Sequence, residues 1–233
     1  MPFSIKSTKL LILSMADATG SRFELAKTNS EKDLGVVLNN KLKWNDHIDQ
    51  SILKANAAMG MLKRTFKFWN CSIFKQLYTT MVRPHLEYCS SVWNPHLKKD
   101  ISKLEKVQRR ATKIVPYIRD LPYEERLKKL DILSLEERRV RGDLIQYFKF
   151  YKGFNKVNWF HTMIPLHSLS TDGPAGATRG GNHRLVKQLT KLDSRANFLS
   201  NRVVNEWNKL PTEVVESKSV NQFKNRLDKF KGH

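Results

Sequence analysis

The sequence predicts a mainly α fold, a helical bundle preceded by a small group of antiparallel β-strands. Three observations carry this. Before about residue 45 the apolar residues come in short runs broken by turn signals; after it they recur every three or four residues, the spacing of a helix with one buried face. Ser134 stands three residues before Glu137, and Ser219 three before Gln222, each ahead of a periodic apolar stretch, as at a capped helix N-terminus. Prolines at 84, 116, 122 and 211 fall where those stretches begin or stop.

Residues 1–40 read as short strands: KLLILSM, FEL from Phe23 to Leu25, and LGVVL from Leu34 to Leu38, with Gly20-Ser21 and Asn39-Asn40 as turns. Three such strands cannot bury both faces unaided, so they read either as the edge of a larger sheet or as part of a small α+β domain covered by the helices that follow. Lys6 and Lys9 before the apolar run, with Ala16-x-Ala18 after it, faintly echo a secretory signal; Leu10 to Met15 reads equally as a buried strand.

From Ile48 the residues Ile48, Ile52, Ala55, Met59, Leu62 and Phe66 make one helical stripe. A second helix is expected from Ser72, with Ile73, Leu77, Met81 and Tyr78 inward, until Pro84 kinks or ends it. The third predicted helix places Leu97, Ile101, Leu104, Gln108, Ala111 and Val115 inward, widened by Val107 and Ile114, and closes at Pro116. Another begins at Pro122 with Leu127 and Leu130 apolar, and the Ser134–Glu137 box opens one that buries Val140, Leu144, Tyr147, Phe148 and Tyr151 before Gly153. TDGPAGATRGGN reads as linker. Beyond it RLVKQL is expected as a short strand, Leu199, Val203, Trp207 and Leu210 as a helix ended by Pro211, and Phe223, Leu227 and Phe230 as the inner face of a last helix. The expected organisation is strands over 1–45, a helical domain over 46–153, a linker over 154–183 and a helical segment over 184–233.

Lysine and arginine number 42 against 22 aspartates and glutamates. The excess is spread along the chain, with net charges of +6, +7 and +7 over residues 1–97, 98–152 and 153–233. Such a balance points to a polyanionic partner, with a plain solvated lysine-rich surface as the alternative. Cys71 and Cys89 are the two cysteines, too few for a disulfide framework and suited to a reducing compartment, and no apolar run reaches the roughly 20 residues of a membrane span.

The residues expected to meet phosphates lie on two helices. Lys99, Lys103, Lys106, Arg110 and Lys113 recur at 4-3-4-3 opposite the Ile101 stripe, with Arg109 alongside, a row expected to face outward with charges roughly 5–6 Å apart along the axis. Arg138 and Arg141 form a second outward line with Lys149 and Lys152, although Glu137 can pair with Arg141. Two-metal chemistry needs converging carboxylates, and the sequence has no Asp-Asp or Asp-x-Asp. Glu124-Glu125 and Glu136-Glu137 open helices, where the macrodipole accounts for them. Cys71, His85, Cys89 and His96 have zinc-ligand chemistry but not the spacing of a compact zinc module.

Six strings in order, EKDLGVVLNNKLKWNDHI, TMVRPHLEYCSSVWNPH, KLEKVQRRATKIV, YEERLKKLDILSLEERRVRGDLIQ, RVVNEWNKLPTEVV and VNQFKNRLDKF, together resemble the carboxy-terminal region of reverse transcriptases from non-LTR (LINE-type, jockey-like) retrotransposons. The resemblance implies that Phe3 to Leu11 follows the catalytic aspartates; Lys9 fits the family's Lys-Cys-Lys-like string, whereas Ser4, Ser7 and Thr8 depart from it. It implies that Leu34, Gly35 and Val36 correspond to the primer grip, and that the helices from Ile48 correspond to the thumb, which closes on the template–primer duplex. In this reading the Tyr/Phe-Ala-Asp-Asp motif, the fingers and the endonuclease lie upstream of Met1. This chain then holds no catalytic carboxylates and no cofactor, Mg2+ belonging only to a complete polymerase.

The partners implied are RNA, DNA or an RNA–DNA hybrid, and a separately encoded polymerase core, without a membrane; the compartment implied is intracellular, nucleus or cytoplasm. Two other readings stay open, a non-enzymatic remnant that binds protein and an active reverse transcriptase whose gene start is misplaced.

Overall fold

The structure, a computed structural model, describes residues 15–16, 22–23, 28–156 and 183–232. Most of the expected strands KLLILSM and FEL, the Phe3–Leu11 stretch and most of the expected linker lie outside these residues. The chain is mainly helical, with small antiparallel strands on its N-terminal side. The strands β1 (Met15–Ala16) and β2 (Arg22–Phe23) pair antiparallel, as do β3 (Ser30–Asp33) and β4 (Val36–Asn39).

Leu34 and Gly35 are the two-residue loop between β3 and β4, both at positive φ (44° and 86°), the geometry that matches the twist of a tight hairpin. The expected strand LGVVL thus begins two residues late. Val36 and Val37 are buried. Asn39 then turns the chain: its Oδ1 accepts from the backbone N–H groups of Lys41 (3.1 Å) and Lys43 (2.9 Å), and its Nδ2 donates to Asp46 (3.0 Å).

Helix α1 (Asn45–Thr65) buries Ile48, Ala55, Met59 and Leu62, as the stripe requires; Phe66 lies past its end. His47 joins hairpin to helix. Its Nδ1 accepts from the Val37 N–H at 3.2 Å and its ring meets Trp93 edge-on at 4.8 Å. Burial, then Lys54, lowers its pKa, which keeps the ring neutral as this bond demands.

After α2 (Cys71–Leu77) the ladder widens into a π-turn over Tyr78–Val82 and resumes as α3 (Arg83–Glu87), with Pro84 at its start. The buried residues are Phe74, Tyr78, Val82 and Leu86, not Ile73 and Met81. On a straight α-helix a repeat of four drifts by about 40° per step. The π-turn holds one extra residue and brings the row back onto one face. It falls where Pro84, with no N–H, interrupts the ladder.

A short α4 (Ser90–Trp93) follows Cys89, which sits at φ 56°, and then α5 (Lys98–Ala111), a 3₁₀ turn over Thr112–Ile114 and another over Pro116–Ile118. Helix α6 (Tyr123–Leu130) leads to α7 (Leu135–Tyr151), whose N-terminus has the expected box: Ser134 Oγ accepts from the Glu137 N–H (3.2 Å) and Glu137 Oε2 from the Ser134 N–H (3.0 Å). After residue 183 come α8 (Asp193–Ala196), α9 (Leu199–Trp207), α10 (Thr212–Val215) and α11 (Val220–Lys231).

Among the described residues RLVKQL is extended, with a single β-bridge position at Leu185 rather than a continuous strand. Two side-chain amides, Asn201 in α9 and Asn208 just past its end, hold this stretch: Asn208 exchanges 2.9 Å bonds with the N–H and C=O of Leu185, and Asn201 does so with Gln188 at 3.0 and 3.2 Å. Seven residues of helix and three of extended chain both span about 10 Å, so asparagines two turns apart can match a strand's repeat.

Two hydrophobic clusters result. One gathers Val36, Ile48, Leu62, Phe74, Tyr78, Trp93, Leu104 and others as far as Leu135; the second gathers Leu144, Tyr147, Phe148, Trp207, Phe223 and Leu227. Among the described residues they meet within α7, between Leu135 and Leu144. A polar clasp occupies the junction. Arg202 binds both oxygens of the buried Asp143 at 2.8 Å and donates to the Ser91 carbonyl at 2.7 Å, while Asn94 donates to Asp143 at 3.0 Å. No helix among the described residues is long and apolar enough to cross a membrane.

Candidate nucleic-acid interface

Helix α5 is positioned from beneath by a buried polar network. Tyr78 donates to Gln108 Oε1 at 2.7 Å, and Gln108 Nε2 donates to the Tyr123 hydroxyl and the Leu133 carbonyl, both at 3.0 Å. Tyr123 in turn donates to Glu105, whose carboxylate accepts the Leu135 N–H at 3.1 Å and so caps α7 from outside it. Burial raises the pKa of Glu105, opposed chiefly by this hydroxyl. Burial also raises the phenols of Tyr78 and Tyr123, which therefore stay protonated as donors. Gln108 was legible as inward-facing; its three partners on other elements were not.

The opposite face of α5 carries the predicted row. Lys99, Lys103, Lys106, Arg109, Arg110 and Lys113 are all exposed. They do not form an open face. Helix α1 runs beside them: Lys103 Nζ pairs with Asp49 at 2.9 Å, and Arg110 donates to Asn56 Oδ1 at 3.2 Å. Both bonds link residues 54 apart, so α1 and α5 lie parallel and in register. Between them is a groove of about 480 Å³ lined by Asp49, Ile52, Lys103, Lys106, Arg109, Arg110 and Lys113. The hydrogen bond to Asp49 raises the Lys103 pKa. Arg109 lies with its guanidinium 4.7 Å from the Tyr123 ring centroid, a cation–π contact that holds it at the groove's rim.

The second predicted line is not available in the same way. Arg138 forks onto Glu87, with Nη2 at 2.9 Å from Oε2, and Arg141 forks onto Asp228 at 2.6 and 2.7 Å. Both pairs are half-buried and tie α7 to α3 and to α11. The Asp228 bond holds the Arg141 pKa above its ordinary value. Glu137, expected beside Arg141, is instead used by the α7 cap. Arg139, on the inner side of the same turn, is 2% exposed, and burial lowers its pKa despite nearby Glu105 and Glu136.

None of Leu34, Gly35 and Val36 lines the groove: the first two are the hairpin tip and Val36 is the buried start of β4. Leu34 is 83% exposed, and its carbonyl accepts from the Tyr88 hydroxyl at 3.0 Å. A Cβ on Gly35 would stand 3.1 Å from the Tyr88 ring. The close approach that glycine allows here is to a side chain of the protein's own third helix–turn, with positive φ as a second reason for the residue.

Reading the sequence by helical stripes missed one charge feature. Six cations and no carboxylate lie between Gln50 and Leu86, and five cations and no carboxylate between Lys106 and Arg119. Counting acids rather than bases along α1 and α5 would have found it. Cys71, His85, Cys89 and His96 do not assemble: among the described residues there is no group of three or more His, Cys, Asp or Glu that could hold a metal ion.

No family model matches the chain, and no solved structure matches it. A Caenorhabditis elegans protein described as "Uncharacterized protein B0403.1" is 29% identical over 128 residues, or 54% of this chain. The match spans 65% of that protein's length.

Proposed function

We propose that this chain is a thumb-like fragment of a retrotransposon reverse transcriptase that binds RNA, DNA or an RNA–DNA hybrid by its phosphate backbone, in the groove between α1 and α5. The observation that carries the binding is the alignment, along one groove, of a cation row with stretches that hold no carboxylate. The six ordered strings that resemble the non-LTR enzymes supply the polymerase context, in which this region closes on a duplex. Backbone contacts of this kind fix position without reading bases. Polymerisation would come from the carboxylates and Mg2+ of a complete enzyme or of a separately encoded core, and the setting would be intracellular, in nucleus or cytoplasm.

Chemically the groove can do one thing well. Lys106, Arg110 and Lys113 succeed one another about a helical turn or less apart, with the apolar Ile52 at their feet, so successive phosphates can be neutralised while the sugar edge rests on apolar surface. With Lys103 shared with Asp49, the cations left for phosphate are Lys99, Lys106, Arg109, Arg110 and Lys113. For a duplex the slope of log K against log salt is then about −4.5, at roughly −0.9 per phosphate neutralised.

Fluorescence anisotropy with labelled duplexes, from about 50 to about 400 mM salt, tests this. Reversing Lys106, Arg110 and Lys113 to glutamate should weaken binding equally for unrelated sequences and flatten the slope by at least about 2.7. An affinity indifferent to salt, or a triple variant that binds like the parent, would overturn the reading.

A further inference from the structure

The connection between α1 and α2 presents an aromatic residue that the fold does not use. Phe66 and Trp69 close on each other edge-on at 6.1 Å, Trp69 Nε1 donates to the Phe66 carbonyl at 3.0 Å, and Asn70 Oδ1 caps α2 by accepting from the Ile73 N–H at 2.8 Å. Trp69 also packs on the first hydrophobic cluster. The loop is therefore pinned at both ends. Phe68, between them, is 86% exposed. Lys63, Arg64 and Lys67 flank it, all exposed, within the stretch that has no carboxylate.

Its place relative to the groove follows from the register of the helices. Since α1 and α5 run parallel, their C-terminal ends lie at the same end of the groove, and the Phe66–Asn70 loop leaves α1 there. Lys113 lines the groove near that end. A strand whose phosphates follow Lys106, Arg110 and Lys113 leaves the groove toward Lys63, Arg64, Lys67 and Phe68.

We propose that Phe68 is a stacking platform for an unpaired base, and that the groove and this loop together take single-stranded nucleic acid or the single-stranded extension of a duplex. The proposal rests on the backbone-binding reading above and deepens it. Aromatic faces beside a cationic track favour single strands because every unpaired base has a face to stack, whereas a duplex keeps its bases covered. Cations flanking an exposed ring on a pinned loop give the phosphate on either side of the stacked base a partner, which a purely apolar docking patch would not need.

The test compares the full chain and its Phe68→Ala and Phe68→Trp variants against an oligothymidylate, a single-stranded RNA of the same length, a blunt duplex and vesicles of anionic phospholipid, at one moderate salt concentration. Phe68→Ala should bind both single strands roughly five- to one-hundred-and-fifty-fold more weakly, the range of one lost stacking contact. It should bind the blunt duplex like the parent, and Phe68→Trp should restore single-strand binding. Because Phe68 is exposed, its removal should leave the melting temperature in place. Unchanged single-strand binding by Phe68→Ala, or an equal loss on the duplex, overturns the stacking role while leaving backbone binding intact. A loss seen only on vesicles makes the loop a membrane-surface contact and overturns it too. If the parent binds no nucleic acid at all, both readings fall.

Discussion

Replacing Arg141 by glutamine should separate the cations that hold the fold from those that face the groove. Its guanidinium makes two short bonds to Asp228 and is the link between the middle of α7 and the last helix. Both side chains are less than a third exposed, so the pair is only weakly screened. A charge-assisted bond of this kind contributes about 2 kcal/mol, and its loss leaves the Asp228 carboxylate without its fork. For a chain of this size each kcal/mol moves the melting temperature by about 2–4 °C, giving a fall of roughly 4–8 °C. The salt slope of nucleic-acid binding should stay at its parental value. Lys106→Gln should do the reverse, flattening the slope by about 0.9 at an unchanged melting temperature. Thermal melts and salt titrations on the same two preparations decide it. If Arg141→Gln flattens the slope by about one and melts like the parent, the ion pair is not the residue's main role, and the division of the basic residues by structure is wrong.

Three further outcomes follow from the same geometry. Asp49→Asn should free Lys103 for phosphate, steepening the salt slope by about 0.9 and tightening binding at low salt, as a titration beside the parent would show. Gly35→Ala should destabilise by more than about 1 kcal/mol in chemical denaturation, since it combines positive φ with a Cβ crowding the Tyr88 ring; Tyr88→Ala in the same chain should recover only the steric part. His47 is neutral in the fold with its pKa lowered, so its contribution is complete above its ordinary value of 6.5 and is lost as pH falls below that. The melting temperature should therefore drop between neutral pH and about pH 5 more steeply in the parent than in His47→Gln, because protonation ends acceptance from the Val37 N–H.

Much of the helical architecture was legible because it obeys short-range rules. The stripe of α1 and the box at Ser134 need only neighbours three and four residues away, and both appear where the pattern puts them. The failures share a cause. Phe74, Tyr78, Val82 and Leu86 repeat by four, a row that drifts by about 40° per step on a straight helix and that the π-turn over Tyr78–Val82 draws back onto one face. RLVKQL reads as a short strand, yet the backbone of Leu185 and Gln188 is held by two asparagine side chains more than ten residues away. In each case the period was readable and the partner was not.

The basic residues show the same limit in charge. Helical phase places Lys103 and Arg110 on the face opposite the Ile101 stripe, but it cannot say that a parallel α1 lies along that face and contributes Asp49 and Asn56. Nor can it say that Arg141 meets an aspartate 87 residues later. A cation's availability depends on which carboxylate the fold brings to it, a long-range property. The absence of carboxylates over a whole segment is different, because local partners are then ruled out in advance. That is why residues 50–86 and 106–119, rather than the most regular row of lysines, mark the groove and the loop at its end as the surface where, in the proposed reading, a phosphate chain would compete with one lining carboxylate, Asp49.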